Sequence, residues 1–284
     1  MKSKRKMAVF TMDLEHFVDT GCVRASGAKI EDDMLDGLDE YISLLDRYGI
    51  KATLFAMCPA AERVKDKVKK YLAAGHTLAL HGGEHIAPMT QSPEEFKESV
   101  RDAKARLEHT FGTRVRGYRA PFFSLDNRRM DLLEELGFDY DASRLAFQSR
   151  DYAGNIDVTD FKQLSDGAFR RGRFYEFSAS CQRFMGIPVP LSGGGYVRLG
   201  NWGFIISMLS EHLKKSDYYV FYLHPFELSR HKVPHVPHLK FHDQWYLSVG
   251  LHTYRFKIET IIRLLKKLGY EFVTFEEMAD YYTK

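Results

Sequence analysis

Residues 77–85 read TLALHGGEH, an apolar run that leads into two histidines separated by a pair of glycines. Short, continuous apolar runs of this kind are typical of buried strands in parallel sheets. The two glycines disfavour a helix in the residues that follow. We therefore predict that His81 and His85 lie on a loop at the end of a buried strand. Such a pair indicates either a metal site or two loop histidines that are satisfied by the backbone.

Short apolar runs alternate with longer amphipathic stretches along most of the chain. The predicted strands are residues 7–12, 52–57, 77–80, 117–118, 138–140, 218–223 and 271–275. The predicted helices are residues 32–48, 59–74, a helix opened by a capping box at Ser92 and Glu95, 127–136, 202–215 and 254–268. Between residues 144 and 200 the alternation weakens into an inserted β-rich segment. The pattern predicts an α/β fold of parallel strands wrapped by helices, in a single domain over residues 1–284.

The composition limits the classes of partner and compartment. A net charge of +3 over 284 residues is too small to suggest nucleic-acid or membrane partners. Three scattered cysteines (Cys22, Cys58 and Cys181) make no disulfide framework and fit a reducing compartment. The apolar run after the basic start MKSKRK is too short for a signal peptide, and no stretch could span a bilayer. We expect a cytoplasmic protein without a transmembrane segment; homo-oligomerisation is left open.

Ionisable side chains follow five of the predicted strands. They are Asp13 and Glu15 after residues 7–12, His81 and His85 after 77–80, Arg119 after 117–118, Asp141 after 138–140 and His224 after 218–223. In a barrel of parallel strands the carboxyl ends of the strands open on one face, where active sites lie. The sequence therefore predicts that these side chains converge on one site.

A catalytic metal site accounts for three of these residues. Two imidazoles and one carboxylate, from His81, His85 and Glu15, form a common zinc ligand set that leaves positions open for water and substrate. Asp13 points the same way as Glu15 on an extended backbone, so it can stay free as a base. The plainer interpretation of Asp13 is a capping residue at the end of a strand.

Arg119 and His224 have a structural and a catalytic interpretation each. Arg119 either forms a surface ion pair or, if buried near Asp13, keeps that carboxylate ionised and oriented. His224 follows a strand too apolar to be exposed, so it is either a core histidine or a proton donor beside the metal.

The site motifs occur in the order Asp13-x-Glu15, His81-x3-His85, Arg119-Ala-Pro-Phe122, Asp141-x-Ser143 and His224-Pro225. This order resembles that of the polysaccharide deacetylase (NodB-homology, carbohydrate esterase 4) superfamily. Residues 193–199 (GGGYVRL) and 224–227 (HPFE) are similar to its bacterial exopolysaccharide-associated branch. The resemblance covers about residues 7–275 and implies a distorted (β/α)7 barrel.

The resemblance also implies a role for each motif residue in metal-dependent hydrolysis of an N-acetyl group on a surface polysaccharide or its precursor. Asp13 would be the general base and His224 the general acid, with Arg119 orienting Asp13 and Asp141 tuning His224. The backbone N–H of Phe122 would face the oxyanion. Glu15, His81 and His85 would hold a divalent metal, zinc first and cobalt, nickel, manganese or iron as alternatives. The expected substrate contacts are Pro121, Gly194, Tyr196 and Trp245; the plainer interpretation of residues 193–195 is a flexible turn.

One departure from the family pattern bears on the substrate. Extracellular members carry adjacent aspartates in the first motif, whereas here Leu14 separates Asp13 from Glu15. This spacing resembles the branch that includes intracellular and imidase-like members, so a hydrolase of a small cyclic amide, imide or formyl-amide is the first alternative. A non-catalytic carbohydrate-binding barrel is the second. A glycosidase is disfavoured because its two catalytic carboxylates are separated by about 5 Å or more, and Asp13 and Glu15 are only two residues apart in the sequence.

A second histidine-rich stretch lies near the carboxyl end, with His231, His235, His238, His242 and His252. Prolines at 234 and 237 indicate a loop there. We expect a rim segment over the site, with Trp245 touching substrate, rather than a second metal site.

Overall fold

The computed structural model describes residues 5–145 and 154–284. Its strands are β1 Met7–Leu14, β2 Ala52–Met57, β3 Thr77–Gly82, β4 Gly117–Tyr118, β5 Tyr140–Asp141, β6 Lys162–Gln163, β7 Ala168–Arg171, β8 Phe174–Phe177, β9 Cys181–Phe184, β10 Ile187–Pro190, β11 Tyr218–Leu223 and β12 Glu271–Phe272. Its helices are α1 Gly21–Ser26, α2 Gly37–Asp46, α3 Cys58–Arg63, α4 Lys65–Ala73, α5 Pro93–Phe111, α6 Asn127–Glu135, α7 Gly194–Leu199, α8 Trp202–Lys215, α9 Phe241–Ser248, α10 Leu251–Lys267 and α11 Phe275–Thr283. Within the described ranges, none of these helices is long and apolar enough to cross a membrane.

The strands form a curled sheet whose parallel part runs in the order β11-β1-β2-β3-β4-β5-β8. These seven parallel strands confirm the predicted distorted barrel. The central strands are buried along their whole length, as in β1, β2 and β11. Burial on both faces explains why they read as continuous apolar runs rather than alternating ones.

The gap between the two end strands β8 and β11 is bridged by the backbone of residues 178–192. Tyr218 donates its hydroxyl to the Ser178 carbonyl at 2.7 Å. Farther along β11, the Val220 N–H donates to the Ser180 hydroxyl at 2.9 Å, and the Tyr222 N–H donates to the Ser192 carbonyl at 2.7 Å. These bonds occupy backbone groups that an open sheet edge would leave unpaired.

The predicted β-rich segment contains β6 to β10, and its strands go to two places. β8 joins the main sheet next to β5, and β7 and β6 extend the sheet from it as antiparallel strands. β9 and β10 form a separate antiparallel hairpin. Residues 193–195, predicted as a loop or turn, instead form the start of the short helix α7. Gly193 adopts a φ of 110° there, and a Cβ at this position would lie 2.2 Å from the Tyr222 carbonyl oxygen.

Three predicted element boundaries are wrong for local reasons. The helix expected from residue 32 begins only at Gly37, because the Asp32 and Asp33 carboxylates accept from the N–H groups of the second residue along and form turns. The helix expected over 59–74 is broken at Val64. The strand expected over 271–275 stops at Phe272, because Thr274 caps α11 in a box with Glu277.

Candidate active site

Three buried side chains bring metal-ligand atoms together at the carboxyl ends of β1 and β3. The donor atoms of Glu15, His81 and His85 all lie within 4.8 Å of one another. Glu15 Oε2 is 2.9 Å from His85 Nε2 and 3.5 Å from His81 Nε2. No hydrogen bond of acceptable geometry from the described residues reaches this buried oxygen. A cation between the three donors would satisfy it, so the residues fit a metal ion.

The backbone around β3 sets the orientation of both imidazoles. His81 Nδ1 is 2.8 Å from the Arg119 carbonyl oxygen, so Nδ1 carries the proton and Nε2 presents its lone pair towards Glu15. The chain then turns at Gly82, whose φ of 148° favours glycine. The His85 ring packs on the Phe122 ring, with 4.3 Å between centroids. Burial raises the pKa of Glu15, but the nearby His85 and His81 imidazoles outweigh it and hold the pKa well below its usual range.

Asp13 is buried beside this group and is held by Arg119. Arg119 Nη1 donates to Asp13 Oδ1 at 2.6 Å and to the Thr11 hydroxyl at 2.9 Å. Its Nε donates to the Ala142 carbonyl at 3.1 Å, and its guanidinium stacks 4.0 Å from the Phe55 ring centroid. The predicted contact between Arg119 and Asp13 is present, with both side chains buried. A planar guanidinium with several fixed donors orients the carboxylate in a way that a lysine would not reproduce.

His224 follows β11, the neighbour of β1, and Glu227 accepts hydrogen bonds from it. Glu227 Oε2 is 3.2 Å from His224 Nδ1 and accepts from the His224 backbone N–H at 3.1 Å. The other carboxylate oxygen, Oε1, accepts from Arg198 Nε at 2.8 Å. Burial lowers the pKa of His224, but the hydrogen bond and charge of Glu227 and the charge of Glu15 raise it to about 9. The imidazole is therefore held as a cation, with Nδ1 donating to Glu227.

The sequence predictions missed Glu227 and Arg198, which contact the site through His224. Arg198 is buried and also donates to the Val249 carbonyl. It belongs to α7, so the GGGYVRL segment contributes a cation that is linked to His224 through Glu227. A signal was available in the sequence, since residues 224–227 (HPFE) place a carboxylate one turn after the histidine.

Asp141 is not the carboxylate on the His224 ring, which corrects the predicted tuning role. It accepts from the Ser143 N–H at 2.9 Å and from the Ser143 hydroxyl at 2.7 Å, and it faces Glu176 across the β5–β8 pairing. The Ser143 hydroxyl in turn accepts from the Ala120 N–H at 2.8 Å. Burial and the Asp141 charge raise the pKa of Glu176 well above its usual range. Asp141 thus supports the loop that follows Arg119.

The loop after Arg119 carries the group predicted to face the oxyanion. Phe122 has a φ of 58° and Phe123 a φ of 55°, a left-handed conformation that is uncommon outside glycine. This strained turn places Phe122 on the wall of the site, against His85. Pro121, predicted to contact substrate, is buried beside Gly82 instead of lying on that wall.

A cavity of about 730 Å³ joins the metal-ligand group to Asp13 and His224. Its wall continues over α1, α7 and α9, with the aromatic rings of Phe122, Phe123, Tyr196, Tyr222 and Tyr246. Of the predicted substrate residues, Tyr196 lines the cavity. Gly194 is buried beside Tyr222, and its neighbour Gly195 lines the cavity in its place. Among the described lining residues Trp245 is absent, and the adjacent Tyr246 is present.

The histidine-rich stretch forms no second group of metal donors within the described ranges. His231 pairs with Asp32 at 2.6 Å. The helix α9, which follows the prolines, contributes Asp243 and Tyr246 to the cavity wall. The stretch therefore leads into the rim of the site.

Two family models match the chain in sequence, one after the other. Residues 30–140 match the polysaccharide deacetylase model. Residues 143–281 match a domain of unknown function, DUF3473. The first region supplies His81, His85 and Arg119, and the second supplies Arg198, His224 and Glu227.

Similar proteins agree with this match. A peptidoglycan deacetylase-like protein of Gibberella zeae is 29% identical over 133 residues, which are 45% of this chain and 39% of that protein, so the chain spans about two fifths of this curated relative. A Mycobacterium smegmatis protein provisionally assigned as a polysaccharide deacetylase has a TM-score of 0.62 at 17% identity, covering 99% of this chain and 91% of its own. The PuuE allantoinase has a TM-score of 0.62 at 15% identity, covering 99% and 92%. At these identities the two structures show a shared fold. The chain therefore contains a polysaccharide deacetylase domain over residues 30–140, followed by a DUF3473 region over residues 143–281.

Proposed function

We propose that this protein is a metal-dependent hydrolase that removes acetyl groups from N-acetylated sugars of a polysaccharide or its precursor. One arrangement carries the proposal: the Glu15, His81 and His85 donors lie in a cavity that also presents Asp13, held by Arg119, and His224, held by Glu227. A base, a metal cradle and an acid in one cavity are the parts that amide hydrolysis needs.

Glu15, His81 and His85 would hold the metal, and zinc suits two imidazoles and a carboxylate. When bound, such an ion polarises the amide carbonyl and lowers the pKa of water towards about 7. The fixed Nδ1 proton on His81 keeps its Nε2 available as a ligand.

The chain's own residues account for the proton movements. Asp13 accepts a proton from the attacking water as the oxygen bonds to the acetyl carbon. The Phe122 N–H donates to the oxygen that becomes negative. One such donor lowers the activation barrier by about 3 kcal/mol in comparable sites. His224, already protonated, gives its proton to the sugar nitrogen as the carbon–nitrogen bond breaks. Acetate and a free amino sugar leave.

A sugar substrate is supported by the family match and by the cavity. The matched family model is that of polysaccharide deacetylases. The cavity of about 730 Å³ has tyrosine and phenylalanine rings on its wall, which suit the apolar faces of pyranose rings.

A small cyclic amide is the second candidate substrate. The PuuE allantoinase shares the fold over 99% of this chain, and its name denotes action on a small cyclic ureide. The separation of Asp13 from Glu15 by one residue also favours a small cyclic amide substrate. A non-catalytic carbohydrate-binding barrel has no use for a paired Asp13 or a cationic His224, so we place it third.

Metal content and product release test the proposal together. We expect about one metal per chain by elemental analysis of the zinc-loaded wild type, and acetate release from penta-N-acetylchitopentaose. His81→Ala should lose the metal, whereas Asp13→Asn should keep it and lose turnover. Asp243→Asn is the matched control, since this carboxylate lines the cavity without belonging to the donor group. Release of product from allantoin but not from the chitin oligomer would favour the second candidate. A wild type that binds no metal would contradict both candidates.

A cytoplasmic location is also proposed. Cys22, Cys58 and Cys181 are free, which suits a reducing compartment. Fractionation of cells that express the native gene, with detection by antibody, would check it; recovery with secreted proteins would contradict it.

A further inference from the structure

The exposed large apolar side chains of the described chain concentrate around the cavity mouth. Outside residues 184–204 and 241–249, only Phe256 and Tyr281 belong to this group. Contiguous exposed apolar surface on a soluble protein marks a place of interaction. We define the mouth surface by Phe184, Met185, Ile187 and Phe204 on one side and by Phe241 and Trp245 on the other.

The first side is the tip of the β9–β10 hairpin. Met185 is 87% exposed and Ile187 67% exposed. The tip is fixed to the fold because the Phe184 ring packs edge-on against Phe204 of α8, with centroids 5.4 Å apart. Phe204 is in the first turn of α8, which begins two residues after the cavity-lining Gly200, so the tip packs against the end of α8 that adjoins the cavity wall.

The second side is the outer face of α9. Phe241 and Trp245 are four residues apart and therefore share a face of this helix. Phe241 is 86% exposed and Trp245 49% exposed. Tyr246, on the neighbouring face, lines the cavity beside Gly195 of α7. The two sides thus flank one opening.

The charges on these segments are mostly positive. An even distribution of the 38 acidic residues over 284 positions would place about six in residues 178–204 and 232–249; the sequence has one, Asp243. Arg183, Lys232 and Lys240 are exposed and form no ion pair with any described residue. The neighbouring His231 is not counted among these unpaired positive charges, because it forms an ion pair with Asp32. The small net charge of +3 over the whole chain does not reveal this local excess of positive charge.

We propose that the mouth surface docks on an anionic lipid bilayer, with the hairpin tip and the outer face of α9 in the interfacial region. Exposed aromatic and aliphatic tips next to free cations are the features of interfacial membrane binding. Glycan stacking would use ring faces, which Met185 and Ile187 lack. Protein interfaces are depleted in lysine, whereas Lys232 and Lys240 are exposed on these segments. The docking depends on neither the metal nor turnover.

Vesicle sedimentation tests the docking directly. We expect the wild type to sediment with vesicles of phosphatidylcholine containing about 30% phosphatidylglycerol, to bind pure phosphatidylcholine much more weakly, and to be released by high salt. Metal-free and zinc-loaded protein should bind equally, so a failure of the proposed hydrolysis would leave this result unaffected. Trp245 emission should shift to shorter wavelength on binding, and a Trp202→Phe background isolates that signal.

Variants separate the bilayer from other partners. Met185→Ser with Ile187→Ser, and separately Phe241→Ser, should each lower the bound fraction at least tenfold, while thermal melts confirm folding. Phe256→Ser is the matched control, because Phe256 is 59% exposed but lies outside the mouth surface. Equal loss in Phe256→Ser, or no sedimentation of the wild type, would overturn the proposal. A concentration-dependent dimer in light scattering that the same mouth-surface variants abolish, without vesicle binding, would assign the surface to a second copy instead.

Discussion

Replacing Glu227 by glutamine should move the alkaline limit of activity to lower pH. In the structure Glu227 is hydrogen-bonded to His224 and supports a pKa of about 9 there. Without the carboxylate, the pKa should fall towards its ordinary value of about 6.5, because the hydrogen bond and charge of Glu227 are lost while burial still lowers the pKa and only the charges of Glu15 and Asp13 oppose it. His224 acts as an acid only when protonated, so activity is present below its pKa and lost as the pH rises through it.

The expected size follows from these values. At pH 8 a group with a pKa of about 9 is about 90% protonated, whereas one with a pKa of about 6.5 is about 3% protonated. The kcat/KM of Glu227→Gln should therefore fall by up to about 30-fold relative to the wild type at pH 8 and change little near pH 5.5.

The assay is a pH–rate profile of acetate release from penta-N-acetylchitopentaose, with metal content measured for every variant. Asp243→Asn controls for the loss of any negative charge from the cavity, and its alkaline limb should stay in place. If Glu227→Gln keeps the wild-type alkaline limb with full metal occupancy, then Glu227 does not set the protonation of His224 and the argument is refuted.

Three further predictions concern the metal, the base and the buried acids. Elemental analysis should find no zinc in His81→Ala, while Asp13→Asn keeps about one equivalent and loses about 10²- to 10⁴-fold in kcat; equal zinc loss in both would contradict the assigned roles. Arg119→Met should lower the free energy of unfolding in urea by about 3–5 kcal/mol because it leaves Asp13 buried and unpaired, and an unchanged midpoint would count against that pair. Because burial and Asp141 raise the pKa of Glu176 well above its unfolded value, the unfolded chain releases this proton first and stability falls as the pH rises above about 4.5. Glu176→Gln should therefore lose less Tm than the wild type between about pH 6 and pH 9 in calorimetry; a parallel decline would refute this.

The sequence was most informative where a side chain follows a strand directly. Glu15, His81 and His85 converge because parallel strands end on one face, and that topology follows from the alternation of elements. The contact of Arg119 with Asp13 could be predicted for the same reason.

Contacts made across the fold were not predictable in this way. Asp141 and Glu227 both follow strands, and only packing decides which carboxylate reaches His224. Arg198 comes from a helix that reads as a glycine-rich turn, since its helical state depends on packing against Tyr222 and Tyr254. Likewise β4 and β5 have two residues each, too few to show a period.

The site is divided along the chain at about residue 142. The three candidate metal ligands and Asp13 precede this point, and His224 with Glu227 and Arg198 follows it. Under the proposed roles, sequence similarity confined to the first part transfers the groups for attack by water, and similarity confined to the second transfers the groups for departure of the amine. A relative that keeps only the first part retains the candidate metal ligands and Asp13, and the proton for its leaving amine must come from another residue.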